Sequence, residues 1–111
     1  MLSEALVTVE STGERHYEAE LHRLMGELLR SRDGAGDQAE QSFRTAIRIA
    51  RGQNAKSLEL RATMSLARLL RNTNRRDEAR TILADIYGWF TEGFDTADLK
   101  DAKALLDELA G

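Results

Sequence analysis

Apolar residues recur along most of the chain at intervals of three and four, the spacing that places them on one side of an α-helix. Tyr17, Leu21, Leu24, Met25, Leu28 and Leu29 form the first stripe and predict a helix over 14–30. Ala39, Phe43, Ala46, Ile47 and Ala50 form the second, over 37–51, with Asp37 as its expected N-cap and Gly52 just past its end. Leu58, Ala62, Leu66, Leu69 and Leu70 predict a third helix over 55–72, and Ala79, Ile82, Leu83, Ile86 and Tyr87 a fourth over 76–89, with Asn72-Thr73-Asn74 as the turn between them. Beyond Gly93, Asp95 or Thr96 can cap a last helix, over 95–110, on Leu99, Ala102, Leu105, Leu106 and Leu109.

The pattern repeats. A shift of 41 residues lays Leu21 on Ala62, Met25 on Leu66, Gly26 on Ala67, Leu28 on Leu69 and Leu29 on Leu70. A shift of 40 continues it, laying Ala39 on Ala79, Phe43 on Leu83 and Ala46 on Ile86. The second helix pair (55–90) is therefore expected to copy the first (14–53), as in a stack of repeats. The 41-residue shift also lays Leu2 on Phe43, Ala5 on Ala46, Leu6 on Ile47 and Gly13 on Asn54. Residues 1–12 then read as the second helix of a preceding pair whose first helix is missing, which implies the end of a longer polypeptide. Gly26 needs a reason, because glycine inside a helix costs about 1 kcal/mol relative to alanine. Close approach of the partner helix at Ala39 is the expected one.

A large-then-small dipeptide (Met25-Gly26, Leu66-Ala67), an apolar residue three later, then alanine, a large apolar residue and a small or apolar one resemble the tetratricopeptide pattern. The period of 40 to 41 exceeds that family's 34, and no proline closes a repeat. The resemblance implies an all-α, right-handed solenoid of antiparallel helix pairs, about six helices in one domain, closed by a C-terminal capping helix. A longer resemblance runs from Gly13-Glu14-Arg15 through Tyr17-Glu18-Ala19-Glu20-Leu21-His22-Arg23-Leu24 and Ala55-Lys56-Ser57-Leu58-Glu59-Leu60-Arg61-Ala62 to Tyr87-Gly88-Trp89-Phe90-Thr91-Glu92-Gly93-Phe94-Asp95-Thr96. These segments look like the C-terminal tetratricopeptide tail of large bacterial signalling ATPases. There the tail follows a nucleotide-binding module, often with a cyclase or DNA-binding domain. The residues matched here are packing residues, so the resemblance implies a fold and a context but no catalytic part.

Composition narrows the chemistry. At 111 residues the chain is one domain, and no apolar run approaches the roughly 18 residues of a membrane helix. The absence of cysteine removes disulfides, thiolate nucleophiles and cysteine-ligated zinc, and suits a cytoplasmic setting. Met1 to Thr12 lacks the basic start and unbroken apolar run of a secretory signal. His16 and His22 stand six apart, on different faces of one helix and without the HExxH arrangement, so no metal is expected. Gly34-Ala35-Gly36 carries no Walker lysine and reads as a turn. Asp98 and Asp101 read as solvated surface charges, and Ser42, Ser57 and Ser65 have no histidine at matching spacing. No enzyme and no cofactor are expected. Trp89, Phe90 and Phe94 read as packing for the last helix.

Charge is unevenly placed. Residues 44–80 hold ten Arg/Lys and three Asp/Glu, a balance of +7, between two flanks of −5 each. In a tetratricopeptide stack the first helix of each pair lines the concave groove, which would place Glu20, Arg23, Glu27 and Arg30, then Arg61, Met64, Arg68 and Arg71, along it. The arginines are expected to make that groove basic and able to take carboxylates of an acidic peptide, of a protein partner or of the chain's own upstream domains. Pairing with neighbouring acids is the competing expectation. Nucleic acid is not expected, because the net charge is −3 and no aromatic platform interleaves the basic run. Two functions follow: a non-catalytic interaction or scaffold module, or a structural cap that forms a homodimer through Leu2, Leu6 and Val9.

Overall fold

The computed structural model describes residues 16–32, 34–90 and 96–110, with His16 and Tyr17 described by backbone alone. Five helices follow in order: α1 (His16–Arg30), α2 (Gly36–Gly52), α3 (Lys56–Asn72), α4 (Arg76–Tyr87) and α5 (Ala97–Ala110). No strand occurs among the described residues. The helix expected over 1–12 lies outside them, as does Phe94.

The connections explain why the helices stop where they do. Asn54 and Asn74 adopt left-handed φ of 56° and 64°, and Gly34 a φ of 79°. Asparagine tolerates that region better than most side chains, so each residue ends its helix and reverses the chain. The Ala55 N–H donates to the Ala50 carbonyl at 2.9 Å and the Asn54 N–H to Arg51 at 3.1 Å, the paired bonds of a Schellman turn. The Arg75 N–H repeats the longer bond to Leu70 at 2.8 Å. Asp37 does not cap α2 as expected. Ala35, itself buried, stands at the N-cap without a side-chain hydrogen bond, and Asp37 falls in the first turn, where its charge still favours the helix dipole.

Each helix packs on the next, α1 also touches α3, and α3 touches α5, whereas α2 and α4 do not pack on each other. The result is two layers: α1, α3 and α5 side by side, with α2 and α4 behind them. α3 is central and the most deeply buried; Leu60, Leu66 and Leu70 are sealed together with Phe43 of α2 and Leu83 of α4. α5 buries Leu99, Ala102, Leu105 and Leu109 and turns Lys100, Asp101, Lys103 and Asp107 outward, so its far side is polar.

Gly26 is explained by α2, but by Phe43 and not Ala39. A Cβ at Gly26 would stand 2.5 Å from Phe43 Cε1 and 2.6 Å from Cδ1. Only glycine leaves room for the ring. The repeat carries this pair onto Ala67 and Leu83, a larger residue on α3 matched to a smaller one on α4.

The first apolar stripe is also placed differently. α1 turns Ala19 and Gly26 inward, while Leu24, Met25 and Leu28 remain 47%, 36% and 71% exposed. Small residues face the partner helix at its close approach and Leu29 packs against the core, while Leu24, Met25 and Leu28 are left exposed.

Candidate functional site

The side-by-side placement of α1, α3 and α5 builds a continuous polar face from residues at matching positions. Arg61 of α3 stands between two carboxylates, donating from Nη1 to Glu20 of α1 at 3.1 Å and from Nη2 to Asp98 of α5 at 3.0 Å. Glu20 is also gripped by Arg23, whose Nε and Nη2 each donate at 2.9 Å. This two-pronged geometry is the strong form of the arginine–carboxylate pair. Glu27 accepts from Arg30 and, at 2.9 Å, from the hydroxyl of Ser65. Further along, Arg71 donates to Glu108 of α5 at 2.8 Å.

These pairs shift the titration of the groups they join. Hydrogen bonding from Arg23 holds the Glu20 carboxyl below its ordinary value against the opposing effect of burial, with the Arg61 charge adding to the lowering. Arg23 is raised in turn, chiefly by Glu20, and Arg61 is raised chiefly by Asp98. The charged forms are favoured on both sides.

The expected groove residues therefore divide. Arg23, Arg30, Arg61 and Arg71 are joined to carboxylates of the same chain, and the face is charge-compensated instead of basic. The compensating acids Asp98 and Glu108 come from α5, packed alongside α3. Met64 is not in the groove; it is 3% exposed and belongs to the core. Asp98 is likewise half-buried in an ion pair and not a solvated charge. Arg68 differs from the other groove arginines, for it has no ion pair or hydrogen bond among the described residues. With Arg71, Asp101, Ala104, Leu105 and Glu108 it lines a cavity of about 270 Å³ between α3 and α5.

Two polar clusters were not anticipated. Behind the inner layer, Glu40 and Arg44 of α2 and Arg75 and Glu78 of α4 form a four-charge cluster with separations of 2.8 to 2.9 Å, spanning helices that do not otherwise pack. Glu40 is lowered first by Arg75 and then by Arg44, and Glu78 likewise. Glu59, in the first turn of α3, is 3% exposed and held by Arg51 at 2.8 Å and Lys56 at 3.2 Å. A cavity of about 320 Å³ on the same side is walled by Arg44, Arg48 and Arg51 over Ile47, Leu66 and Ile82. The sequence signal for it is the run of three arginines at helical spacing on α2.

The remaining candidates take quieter places. Ser65 is 1% exposed, and its hydroxyl ties α3 to Glu27 and Arg23 of α1. No group of His, Asp and Glu capable of holding a metal ion occurs among the described residues. No described helix is long and apolar enough to cross a membrane. Trp89 does not serve as packing for α5: it is 57% exposed, edge-on to Phe90 at 5.1 Å, with Lys56 Nζ 5.5 Å from its ring. Of the neighbouring pair Trp89 and Phe90, it is Phe90 that packs against the core. Comparison with protein-family models, curated proteins and solved structures finds no match to this chain.

Proposed function

We propose that this chain is a non-catalytic protein-interaction module whose inner face, along α1, α3 and α5, takes an acidic segment of a partner. The observation that carries the reading is Arg68, a half-buried arginine with no counter-ion among the described residues, set in a cavity beside Arg71. A partner carboxylate gains most there because it displaces no existing ion pair. Arg71 is next in line, since its present partner Glu108 is 55% exposed and easily exchanged. Arg23, Glu27, Arg30 and Arg61 form the fixed frame of the site. Met64 supports it from the core.

The helix order and the layer of first helices support a tetratricopeptide-like solenoid closed by α5, and its right-handed sense and sixth helix remain part of the proposal. The context that goes with this reading is the regulatory or assembly tail of a bacterial ATPase or cyclase-type signalling protein, in the cytoplasm. Finding a nucleotide-binding or cyclase module in the adjoining coding sequence tests that context, and an adjoining region without one opposes it. The rival reading, a structural cap that self-associates through Leu2, Leu6 and Val9, rests on residues outside those described.

Arg68→Glu tests the binding reading cleanly, because it breaks no ion pair or hydrogen bond among the described residues. Fluorescence anisotropy with a labelled glutamate-rich peptide bearing a free C-terminal carboxylate should show binding that Arg68→Glu weakens by about tenfold or more. Binding unaffected by Arg68→Glu, or no binding by the native chain, refutes it.

A further inference from the structure

We propose that the cavity between α2 and α4 binds a small monocarboxylate that carries an apolar body. This inference does not rest on the inner-face reading, which concerns another side of α3. It starts from a gap in the outer layer: α2 and α4 do not pack on each other, so α3 is left as the floor between them. The cavity at that gap holds about 320 Å³, near the lower end of the roughly 300 to 1,000 Å³ usual for small-molecule sites.

Its charge is one-sided. Arg44, Arg48 and Arg51 stand on one face of α2 at intervals of four and three, and no carboxylate shares the lining with them. Arg44 is tied across to Glu78 of α4 and back to Glu40, and Arg51 is tied to Glu59 of α3. Arg48, between them, has no ion pair or hydrogen bond among the described residues. The row is thus held at both ends, with an uncompensated guanidinium in its middle. The cavity beside Arg68 is different, because Asp101 and Glu108 line it as well.

Thr63 of α3 is a second, independent sign of a ligand. It lines the same cavity and is 2% exposed, yet its hydroxyl makes no hydrogen bond among the described residues. A buried hydroxyl on a helix ordinarily finds a partner. Even the more accessible Thr73 and Thr81 donate to the carbonyls four residues back, of Leu69 and Asp77. Thr63 leaves that bond unmade and keeps its donor for an acceptor in the cavity.

The rest of the lining sets the ligand class. Ile47, Leu66 and Ile82 form an apolar wall, the first two of them buried, which favours a hydrocarbon body. An arginine without a counter-ion calls for a single negative charge, since a doubly charged head would have to break the Arg44 or Arg51 pairs for its second partner. A carboxylate matches the guanidinium fork of Arg48 and has lone pairs left to accept from Thr63.

The test is an amide shift titration of the full chain with sodium octanoate, with octanol and acetate as the body and the head alone. Expected are saturable shifts centred on residues 44–51 and on Thr63, Leu66 and Ile82. Arg48→Gln breaks no ion pair among the described residues and should weaken octanoate binding roughly tenfold or more; isosteric Thr63→Val should weaken it about threefold or more. Arg68→Glu should leave it unchanged, which separates this site from the inner face. Octanol or acetate binding as well as octanoate overturns the proposal, as does insensitivity to both Arg48→Gln and Thr63→Val. So do shifts confined to the exposed Leu24, Met25 and Leu28 of α1, or no saturable shift in the native chain.

Discussion

Gly26→Ala is ordinarily a stabilising change inside a helix, worth about 1 kcal/mol from propensity alone. Here the added methyl meets two carbons of the Phe43 ring at 2.5 and 2.6 Å, well inside contact distance. The ring is 0% exposed and belongs to the core cluster. Overpacking of a closed core costs about 1 to 3 kcal/mol, and an overlap this deep belongs to the upper part of that range. The net expectation is a loss of roughly 1 to 2 kcal/mol. With a urea slope of about 1 to 3 kcal/mol/M, the midpoint should fall by about 0.5 to 1 M. The second helix pair supplies the rescue, because its equivalent positions are Ala67 and Leu83. Gly26→Ala with Phe43→Leu recreates that combination, and the double variant should be more stable than the sum of its single changes allows, by about 1 kcal/mol or more. Gly52→Ala, where a Cβ meets nothing within 4 Å, is the control expected to lose nothing to crowding. A Gly26→Ala protein as stable as the native one, or strict additivity in the double variant, refutes the packing account.

Removing Arg51 tests the buried carboxylate. Glu59 keeps Lys56 at 3.2 Å, and Arg51 is itself 64% exposed, so Arg51→Ala should cost about 1 kcal/mol in chemical denaturation instead of the several expected for a sealed pair. Asn54→Ala places a less tolerant side chain at φ of 56° and should lower the urea midpoint by an amount equivalent to about 1 kcal/mol, whereas Asn54→Gly should not lower it. Glu20, Glu40 and Glu78 all have carboxyls lowered in the folded state by their arginines. Their stabilisation is complete above the unfolded carboxylate value of about 4.3 and disappears as pH falls through the lower folded values. Stability measured on acidification should therefore decline below that point, and Glu20→Gln should flatten the decline; an unchanged profile contradicts the assignment.

Helix positions were legible because spacing in threes and fours survives every sequence difference between the two pairs, and the observed ends of α2 and α3 fall within a residue of those expected. The side of α1 that meets the core was not, for a physical reason. Leu24, Met25 and Leu28 dominate any hydrophobic pattern, but the close approach to Phe43 selects Ala19 and Gly26 for the interface. The inner face was half legible. Register alone places Arg23, Arg30, Arg61, Arg68 and Arg71 on it, whereas their neutralisation depends on Asp98 and Glu108. Those acids lie 37 residues from their arginines on a different helix, and spacing within one helix carries no information about them. Met64 was misplaced because it is buried in the core cluster, and spacing along α3 alone does not tell which of its faces neighbouring helices cover. Trp89 illustrates the reverse case: a large aromatic near the end of the stack reads as core, but Phe90 occupies that place.

The most direct test of the inner-face account is an amide shift map of the native chain titrated with the glutamate-rich peptide. The account predicts perturbations centred on Arg68 and Arg71 of α3 and on the α5 residues from Asp101 to Glu108, weakening as salt is raised. Perturbations confined to the arginines of α2, or none at all, would contradict it.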